Sequence, residues 1–180
     1  MTFIKTIPKE EAQSPLKELY QEIEDTFGIK KIPNAFISSS IDPEITRWVW
    51  QGVKSIMLRD SSIDRPLKET IALVVSKNNA CSYCVGAHNM MLKAIGYDSK
   101  KIEELNKDYQ SSSLSEKEKA VLDFSLKVTN ESYKITEKDH ENLKKHGMTE
   151  QQILEVISVA SLFNFINRFV DALGTDLEIV

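Results

Sequence analysis

The sequence predicts an all-α fold, and three observations lead to this prediction. Capping residues and prolines that start helices recur along all 180 residues. Glycines that stop helices follow several apolar stretches with helical spacing. Strand alternation and Asn-Gly hairpin turns are not evident. We expect a single domain over residues 1–180, because a chain of this length buries about two-thirds of its extended surface in one core.

Each of the first two helices is marked by a capping residue followed by proline, which suits the first position of a helix. Ser14-Pro15 predicts a first helix, with the serine as its cap, that ends near Gly28. Residues 31–34 are then expected to form a loop. Asp42-Pro43 predicts a second helix, which ends near Arg59.

The next two helices are expected to form a hairpin. Apolar spacing predicts a third helix from about Asp64 to Lys77, and this helix carries Glu69. Asparagine is a good helix cap, so Asn79 or a neighbour is expected to start a fourth helix, which Gly96 ends.

The later helices are marked by a Ser or Thr followed three residues on by an acidic residue or Gln; these starts are Ser115, Thr136 and Thr149. The final helix, about residues 150–173, is apolar on more than one side, which is typical of a central or interface helix. Because buried polar groups need partners, we expect mainly structural roles for four polar residues in it. They are Asn164, Asn167, Arg168 and Asp171.

Charge and apolar patterning argue against two classes of function. A net charge of -4 with scattered Lys and Arg disfavours nucleic-acid binding, which needs a concentrated basic surface. Uninterrupted apolar runs reach about five residues, against about 20 for a membrane-spanning helix, so we expect no membrane association. The N-terminus lacks the basic-then-apolar layout of a signal peptide, and a cytoplasmic location is the expectation.

The segment from Cys81 to His88 contains both cysteines of the chain and one of its three histidines. On a helix, spacings of three and four residues place Cys81, Cys84 and His88 on one face. A helix start favours the thiolate, so one sulfur can attack an oxidant and the other can close a disulfide. His88 is a candidate proton relay, and Glu69 could orient its ring if the hairpin brings the two helices together.

Other interpretations of the cysteine pair stay open. Buried cysteines are often only small apolar side chains. Glu69, Cys81, Cys84 and His88 are four potential metal ligands, although structural zinc usually draws on a second Cys or His pair. A c-type haem is excluded because Val85, and not histidine, follows the second cysteine. We predict no resident metal or cofactor. The alternative to an enzyme is a non-catalytic oligomeric helical protein with a redox-sensing or metal-binding cysteine pair.

The combination of Glu69 with Cys81-x-x-Cys84-x-x-x-His88 resembles the signature of the AhpD-like alkylhydroperoxidases within the carboxymuconolactone decarboxylase superfamily. The closing segment, residues 164–174, is most similar to the peroxidase-related branch. The resemblance covers residues 41–174 and leaves 1–40 as an N-terminal extension with one helix. It implies an AhpD-like helical bundle that forms homo-oligomers, with thiol-dependent peroxidase or disulfide oxidoreductase activity.

The resemblance also implies a role for each site residue. Cys84 corresponds to the peroxidatic cysteine and Cys81 to the resolving one, while His88 and Glu69 form the proton relay. The implied partners are a hydroperoxide substrate and a dithiol reductant. Members with demonstrated peroxidase activity carry a second histidine where this chain has Tyr83, which is therefore an auxiliary candidate. Tyrosine can donate a hydrogen bond but is a poor base near neutral pH.

Overall fold

The computed structural model describes residues 2–177, and within that range it contains nine α-helices and no β-strand. The all-α prediction is confirmed. The helices are α1 (Leu16–Phe27), α2 (Asn34–Ile37), α3 (Pro43–Val53), α4 (Arg65–Asn78), α5 (Ser82–Ala94), α6 (Ser99–Asp108), α7 (Glu116–Glu131), α8 (Glu137–Lys145) and α9 (Glu150–Ala172).

Helix α4 is the centre of the bundle and packs against α5, α7 and α9. It is buried at nine consecutive positions, residues 68–76, so its short apolar run from Ile71 to Val75 faces neighbours on every side. A helix that is apolar all round is stable only when other helices cover it. The main apolar core of the protein therefore surrounds α4.

Helices α1 to α3 form a separate apolar cluster beside this core. Its centre is the fully buried ring of Trp50, which contacts the rings of Phe27 and Phe36 at centroid distances of 5.4 and 5.5 Å. The indole Nε1 donates to Glu22 Oε1 at 2.9 Å, so the polar edge of this large side chain also has a partner. This N-terminal layer covers one side of the α4–α5 hairpin.

Helix α3 continues without a break into a π-helical turn, Lys54–Leu58, and the chain leaves helical geometry at Arg59 as predicted. A π turn closes its hydrogen bonds five residues apart and holds one residue more than an α turn. Met57 in this turn is buried against the core.

Two predicted helix starts are wrong by one or two residues. Ser14 does not cap α1: the helix begins after Pro15, with no side-chain cap, and the Lys17 N–H reaches back to the Gln13 carbonyl instead. Helix α6, which begins after Asp98, was not predicted from the sequence. The start of α5 is also displaced, as described below.

Other start and stop signals act as predicted. Asp42 and Asp64 cap α3 and α4 through their side chains. Capping boxes at Ser115 and Thr149 open α7 and α9. Gly28 ends α1 in the left-handed conformation, which lacks a steric penalty only for glycine.

Helix α9 is long and apolar enough to cross a membrane by length and composition, with a mean hydropathy of 1.5. The short apolar runs of the sequence did not indicate this, because polar residues interrupt them. In the structure 56% of this stretch is buried inside the bundle, where α9 packs against α4 and α7. The core helix of a helical bundle has this character.

Candidate active site

A three-residue turn joins α4 to α5 and folds the second helix back along the first. Ala80 lies in this turn with a φ of 59°, the left-handed region that costs an L-residue about 1–2 kcal/mol. The Ala80 N–H donates to the Lys77 carbonyl, and the Cys81 N–H donates to the Ser76 carbonyl at 3.0 Å. These bonds satisfy the end of α4 and place Cys81 at the start of α5.

Cys81 itself caps α5, two residues after Asn79, where the sequence predicted a start at Asn79 or a neighbour. Its Sγ accepts a hydrogen bond from the Cys84 N–H at 3.3 Å, and both cysteines are buried free thiols. The Cys84 sulfur and burial raise the pKa of the Cys81 thiol above its usual value. Thus Cys81 keeps its proton, although it lies at a helix start.

Glu69 and His88, separated by 19 residues in sequence, meet across the α4–α5 hairpin with Oε2 and Nδ1 2.6 Å apart. Both side chains are buried. Burial alone would raise the pKa of the Glu69 carboxyl, but His88 and Arg65 outweigh burial and hold that pKa below its usual value. An ionised carboxylate only accepts hydrogen bonds, so His88 Nδ1 carries the proton and Nε2 is left for exchange.

Arg65 is a member of the site that the sequence interpretation missed. Its Nε donates to Glu69 Oε1 at 2.6 Å, so both oxygens of this carboxylate have partners. The spacing of four residues on one helix was a visible signal for this pair. The sequence did not show that the pair would lie beside a cavity.

The cavity lies between the N-terminal layer and the helices α4, α5 and α9, and its volume is about 130 Å³. Its wall is almost wholly apolar, and the His88 ring packs edge-on against Phe163 at 4.4 Å. Among the described residues, Cys84 lines the cavity and Cys81 does not. The other polar or charged lining residues are Arg65, Glu69, Tyr83 and His88.

Tyr83 connects the cavity to the N-terminal layer. Its hydroxyl accepts a hydrogen bond from the Ala35 N–H at 3.0 Å, and its side chain is buried. Tyr83, the auxiliary candidate, therefore ties α2 to the first turn of α5.

An asparagine cluster from α9 holds the turn that precedes Cys81. The Asn79 amide donates to Asn164 Oδ1 and Asn167 Oδ1, both at 2.9 Å. Asn167 is fully buried, and its own amide donates to Ser76 Oγ at 2.9 Å. Three of these four groups are side-chain amides, which carry no charge at any ordinary pH. The cluster fixes the turn without adding a titrating group.

Two other polar residues of α9 lie near this cluster. Arg168 Nη1 donates to the Asn164 carbonyl at 2.7 Å. This bond links Arg168 to the outer edge of the cluster. Asp171 adds to the high pKa of Cys81, after the larger effects of the Cys84 sulfur and burial.

The four potential metal ligands do not form a ligand set. Within residues 2–177, no group of three or more His, Cys, Asp and Glu side chains has the arrangement to hold a metal ion. Both Glu69 oxygens are already bound, by Arg65 and His88. The Cys81 sulfur is used as a helix cap.

Comparison with known proteins supports this fold. The model of the carboxymuconolactone decarboxylase family matches residues 43–124, a range that contains Glu69, both cysteines and His88. A structure described as alkylhydroperoxidase AhpD core, an uncharacterized peroxidase-related protein from Ralstonia eutropha JMP134, superposes with a TM-score of 0.90. It is 24% identical, over 99% of this chain and 93% of that one.

Two further structures share the architecture. An uncharacterized peroxidase-related protein from Silicibacter sp. TM1040 is 27% identical, with a TM-score of 0.84, over 99% of this chain and 96% of that one. The debrominase Bmp8 is 19% identical, with a TM-score of 0.81, over 99% and 94%. The family match over the cysteine hairpin and the shared bundle of the peroxidase-related structures support the AhpD-like carboxymuconolactone decarboxylase superfamily for this chain.

Proposed function

We propose that this protein is a thiol-dependent peroxidase, or disulfide oxidoreductase, that reduces hydroperoxides through Cys84 and Cys81. The observation that carries the proposal is the buried Glu69–His88 pair, with Oε2 and Nδ1 2.6 Å apart, in the wall of the apolar cavity that Cys84 also lines. A carboxylate that orients a histidine beside a thiol is an arrangement suited to proton transfer and nucleophilic attack.

In the proposed first step, His88 accepts the Cys84 proton and the thiolate attacks the outer oxygen of the hydroperoxide. The O–O bond breaks, the alcohol leaves after it receives a proton, and Cys84 becomes a sulfenic acid. An apolar wall excludes water from this step and strengthens the charge interactions that guide it.

Cys81 then completes the cycle. Its thiol sulfur attacks the Cys84 sulfur, the S–O bond breaks, and water leaves as the disulfide forms. The raised pKa of Cys81 supports this division of roles, because a thiol that keeps its proton does not compete for the first attack. A dithiol reductant restores both thiols by disulfide exchange.

A titration on the anaerobically reduced protein tests the proposal. One equivalent of cumene hydroperoxide should consume two thiols and yield one equivalent of alcohol. Cys84→Ser should lower the rate by at least about a thousandfold, because the attacking sulfur is absent. Cys81→Ser should stop at a sulfenic acid on Cys84, which dimedone traps. Ser82→Ala is the matched control in the same helical turn.

The outcomes separate the proposal from a non-catalytic helical protein. Undiminished turnover in Cys84→Ser contradicts the assignment of the attacking residue. Thiols that consume no peroxide in the wild type contradict the enzyme and favour a packing role for both cysteines. Stoichiometric zinc in freshly purified protein favours the metal-binding alternative.

A second candidate reaction uses the same dithiol. The name of the structural neighbour Bmp8 describes a debrominase, and a structure of its cysteine-to-alanine variant is a complex with 2,3,4-tribromopyrrole. An apolar cavity of about 130 Å³ is close to the volume that holds one aromatic ring. Two thiols could replace a ring bromine by hydrogen, with release of bromide and formation of the disulfide. Bromide release from 2,3,4-tribromopyrrole, measured beside the peroxide assay, decides between the reactions.

We also propose that the protein acts as a homo-oligomer. Ile45 and Trp48 lie on one side of α3 with exposed fractions of 47% and 61%, and the Trp48 ring contacts Phe165 at 4.9 Å. Exposed apolar residues that form a patch are typical of protein–protein contacts. Sedimentation equilibrium gives the number of copies, and a monomer at micromolar concentration would contradict this proposal.

A further inference from the structure

Arg65 stands out among the residues that line the cavity. Its side chain is 32% exposed, whereas that of Glu69 is 1% exposed and that of His88 is 9% exposed. The arginine is therefore at the outer end of the polar row in the cavity wall. A ligand that enters from solvent meets this guanidinium before it reaches the Glu69–His88 pair.

Only part of the Arg65 guanidinium is used by the protein. Its Nε donates to Glu69. Among residues 2–177, no group accepts a hydrogen bond from its two Nη atoms. The planar guanidinium offers an outer edge formed by two N–H donors, which matches the two oxygens of a carboxylate. Glu69 holds the group in place and leaves that edge free for a ligand.

The nearby carboxylates do not take this edge. Glu69 is bound by His88 and by Arg65 Nε. Glu155 accepts from the Ser62 and Ile63 backbone N–H groups. Within residues 2–177, no carboxylate hydrogen-bonds to the outer edge of Arg65, so this edge can pair with the anion of a ligand.

Cys84 and Arg65 lie at opposite ends of the row of active residues. Cys84 is one helical turn before His88 on α5, and Arg65 is one turn before Glu69 on the antiparallel helix α4. Because a spacing of four residues spans about 6 Å of helix, the two backbone positions are roughly 12 Å apart along the hairpin. The long arginine side chain shortens this span. The space between them is apolar and holds about one aromatic ring.

We propose that Arg65 is an anion-recognition residue, and that the preferred substrates are compact apolar hydroperoxides with a carboxylate at the end opposite the hydroperoxide. This inference rests on the proposed peroxidase function for the reaction, and on the cavity alone for binding. Neutral hydroperoxides lack the group that pairs with Arg65 and bind through apolar contact only.

A matched substrate pair tests the inference in the active enzyme. The acid 4-(2-hydroperoxypropan-2-yl)benzoic acid and its methyl ester differ only in charge at the far end. The wild type should prefer the acid by about tenfold to a hundredfold in kcat/KM, the range expected for a hydrogen-bonded charge pair. Arg65→Gln should remove this preference, and Arg65→Lys should retain part of it. Arg59→Gln is the control, because it removes a cation that lies near the start of α4 but does not line the cavity.

The ratio of the two substrates separates recognition from positioning. Because Arg65 also holds Glu69, its loss lowers turnover of both substrates, but only a recognition role changes the ratio between them. An acid-to-ester ratio that is the same in wild type and Arg65→Gln overturns the inference. Equal turnover of the acid and the ester by the wild type also overturns the inference.

A binding measurement gives an answer that does not depend on turnover. Calorimetry on Cys84→Ser compares 4-isopropylbenzoate with 4-isopropylbenzamide, which has the same shape without the charge. The benzoate should bind at least about tenfold more tightly, and Arg65→Gln should abolish the difference. Tight benzoate binding without peroxide turnover leaves the inference standing and removes the peroxidase. Turnover without benzoate preference removes the inference and leaves the peroxidase.

Discussion

The two ends of the α4–α5 hairpin contain buried polar groups of opposite character. Toward the start of α4, Glu69 and His88 form a pair of titrating groups beside an apolar cavity. At the turn, Ser76, Asn79 and Asn167 form an uncharged hydrogen-bond network. The first arrangement can exchange protons with a ligand, whereas the second can only hold atoms in place. The hairpin thus separates the titrating pair from the uncharged network that holds the turn before Cys81.

The energetics of the two ends differ for the same reason. A buried carboxylate loses a large solvation energy, which its two partners must offset, and removal of either partner leaves an uncompensated charge. A buried amide with both partners made is stabilised by about 1 kcal/mol for each hydrogen bond. The following changes act on one end at a time.

The largest effect is expected from Glu69→Gln. This change keeps the shape of the side chain and removes the charge that orients His88. We expect kcat/KM for a hydroperoxide to fall by about a hundredfold to ten-thousandfold, the range typical of a lost acid–base component. Glu150→Gln, at an exposed carboxylate on α9, is the control. A decrease of less than threefold would contradict the proposed relay.

Asn167→Ala should act on stability and not on the relay. It removes the acceptor of Asn79 and the donor to Ser76, and a buried polar group left without a partner costs about 1–3 kcal/mol. We expect the free energy of unfolding in urea to fall by about 2–4 kcal/mol. Asn164→Ala, at a less buried position of the same cluster, should cost less. A shift in the pH profile of kcat/KM in Asn167→Ala would break the separation between the two ends.

The pH dependence of the unfolding free energy should report on the Glu69–His88 end of the hairpin and not on the uncharged network at the turn. The pKa of Glu69 in the folded protein is lowered from 4.5, so its ionised form stabilises the fold above about that pH. This contribution is lost as the pH falls from about 4.5 through the lower folded value. The difference in unfolding free energy between wild type and Glu69→Gln should therefore shrink between pH 7 and pH 3. A difference that is constant over this range contradicts the pairing.

The smallest effect is expected at the turn itself, from Ala80→Gly. Glycine adopts the left-handed φ of 59° without the penalty of about 1–2 kcal/mol, but it loses about 0.5–1 kcal/mol through backbone entropy. We expect a net gain of up to about 1 kcal/mol in urea unfolding. Ala120→Gly, inside α7, should instead cost about 1 kcal/mol. A loss of stability in Ala80→Gly would show that the turn is not strained.

Much of this hairpin follows from sequence pattern. Asp64 predicts the start of α4, and the spacing of Cys81, Cys84 and His88 predicts one helical face. The displaced start of α5 has a physical reason. The Asn79 side chain, a strong cap by local preference, bonds to Asn164 on the distant helix α9, and Cys81 takes the cap position. A tertiary contact of this kind is not visible in local sequence.

The role of Arg65 was hidden for a related reason. Its spacing from Glu69 is plain in the sequence, yet many such helical pairs lie on solvated surfaces and contribute little. Its importance depends on a cavity whose other walls come from α3, α5 and α9. Charge and spacing can suggest an ion pair, but only the packed bundle shows what lies next to it.

The π turn at the end of α3 is a place where a change in chain length would change the shape of the cavity. Met57 and Leu58 of this turn line the cavity, and the turn holds one residue more than an α turn would. Deletion of one residue there would restore α geometry and change which side chain of the turn faces the cavity. The loop at residues 59–64 could absorb the shift before α4 begins. A single-codon deletion could thus alter substrate range between relatives while the catalytic hairpin stays unchanged.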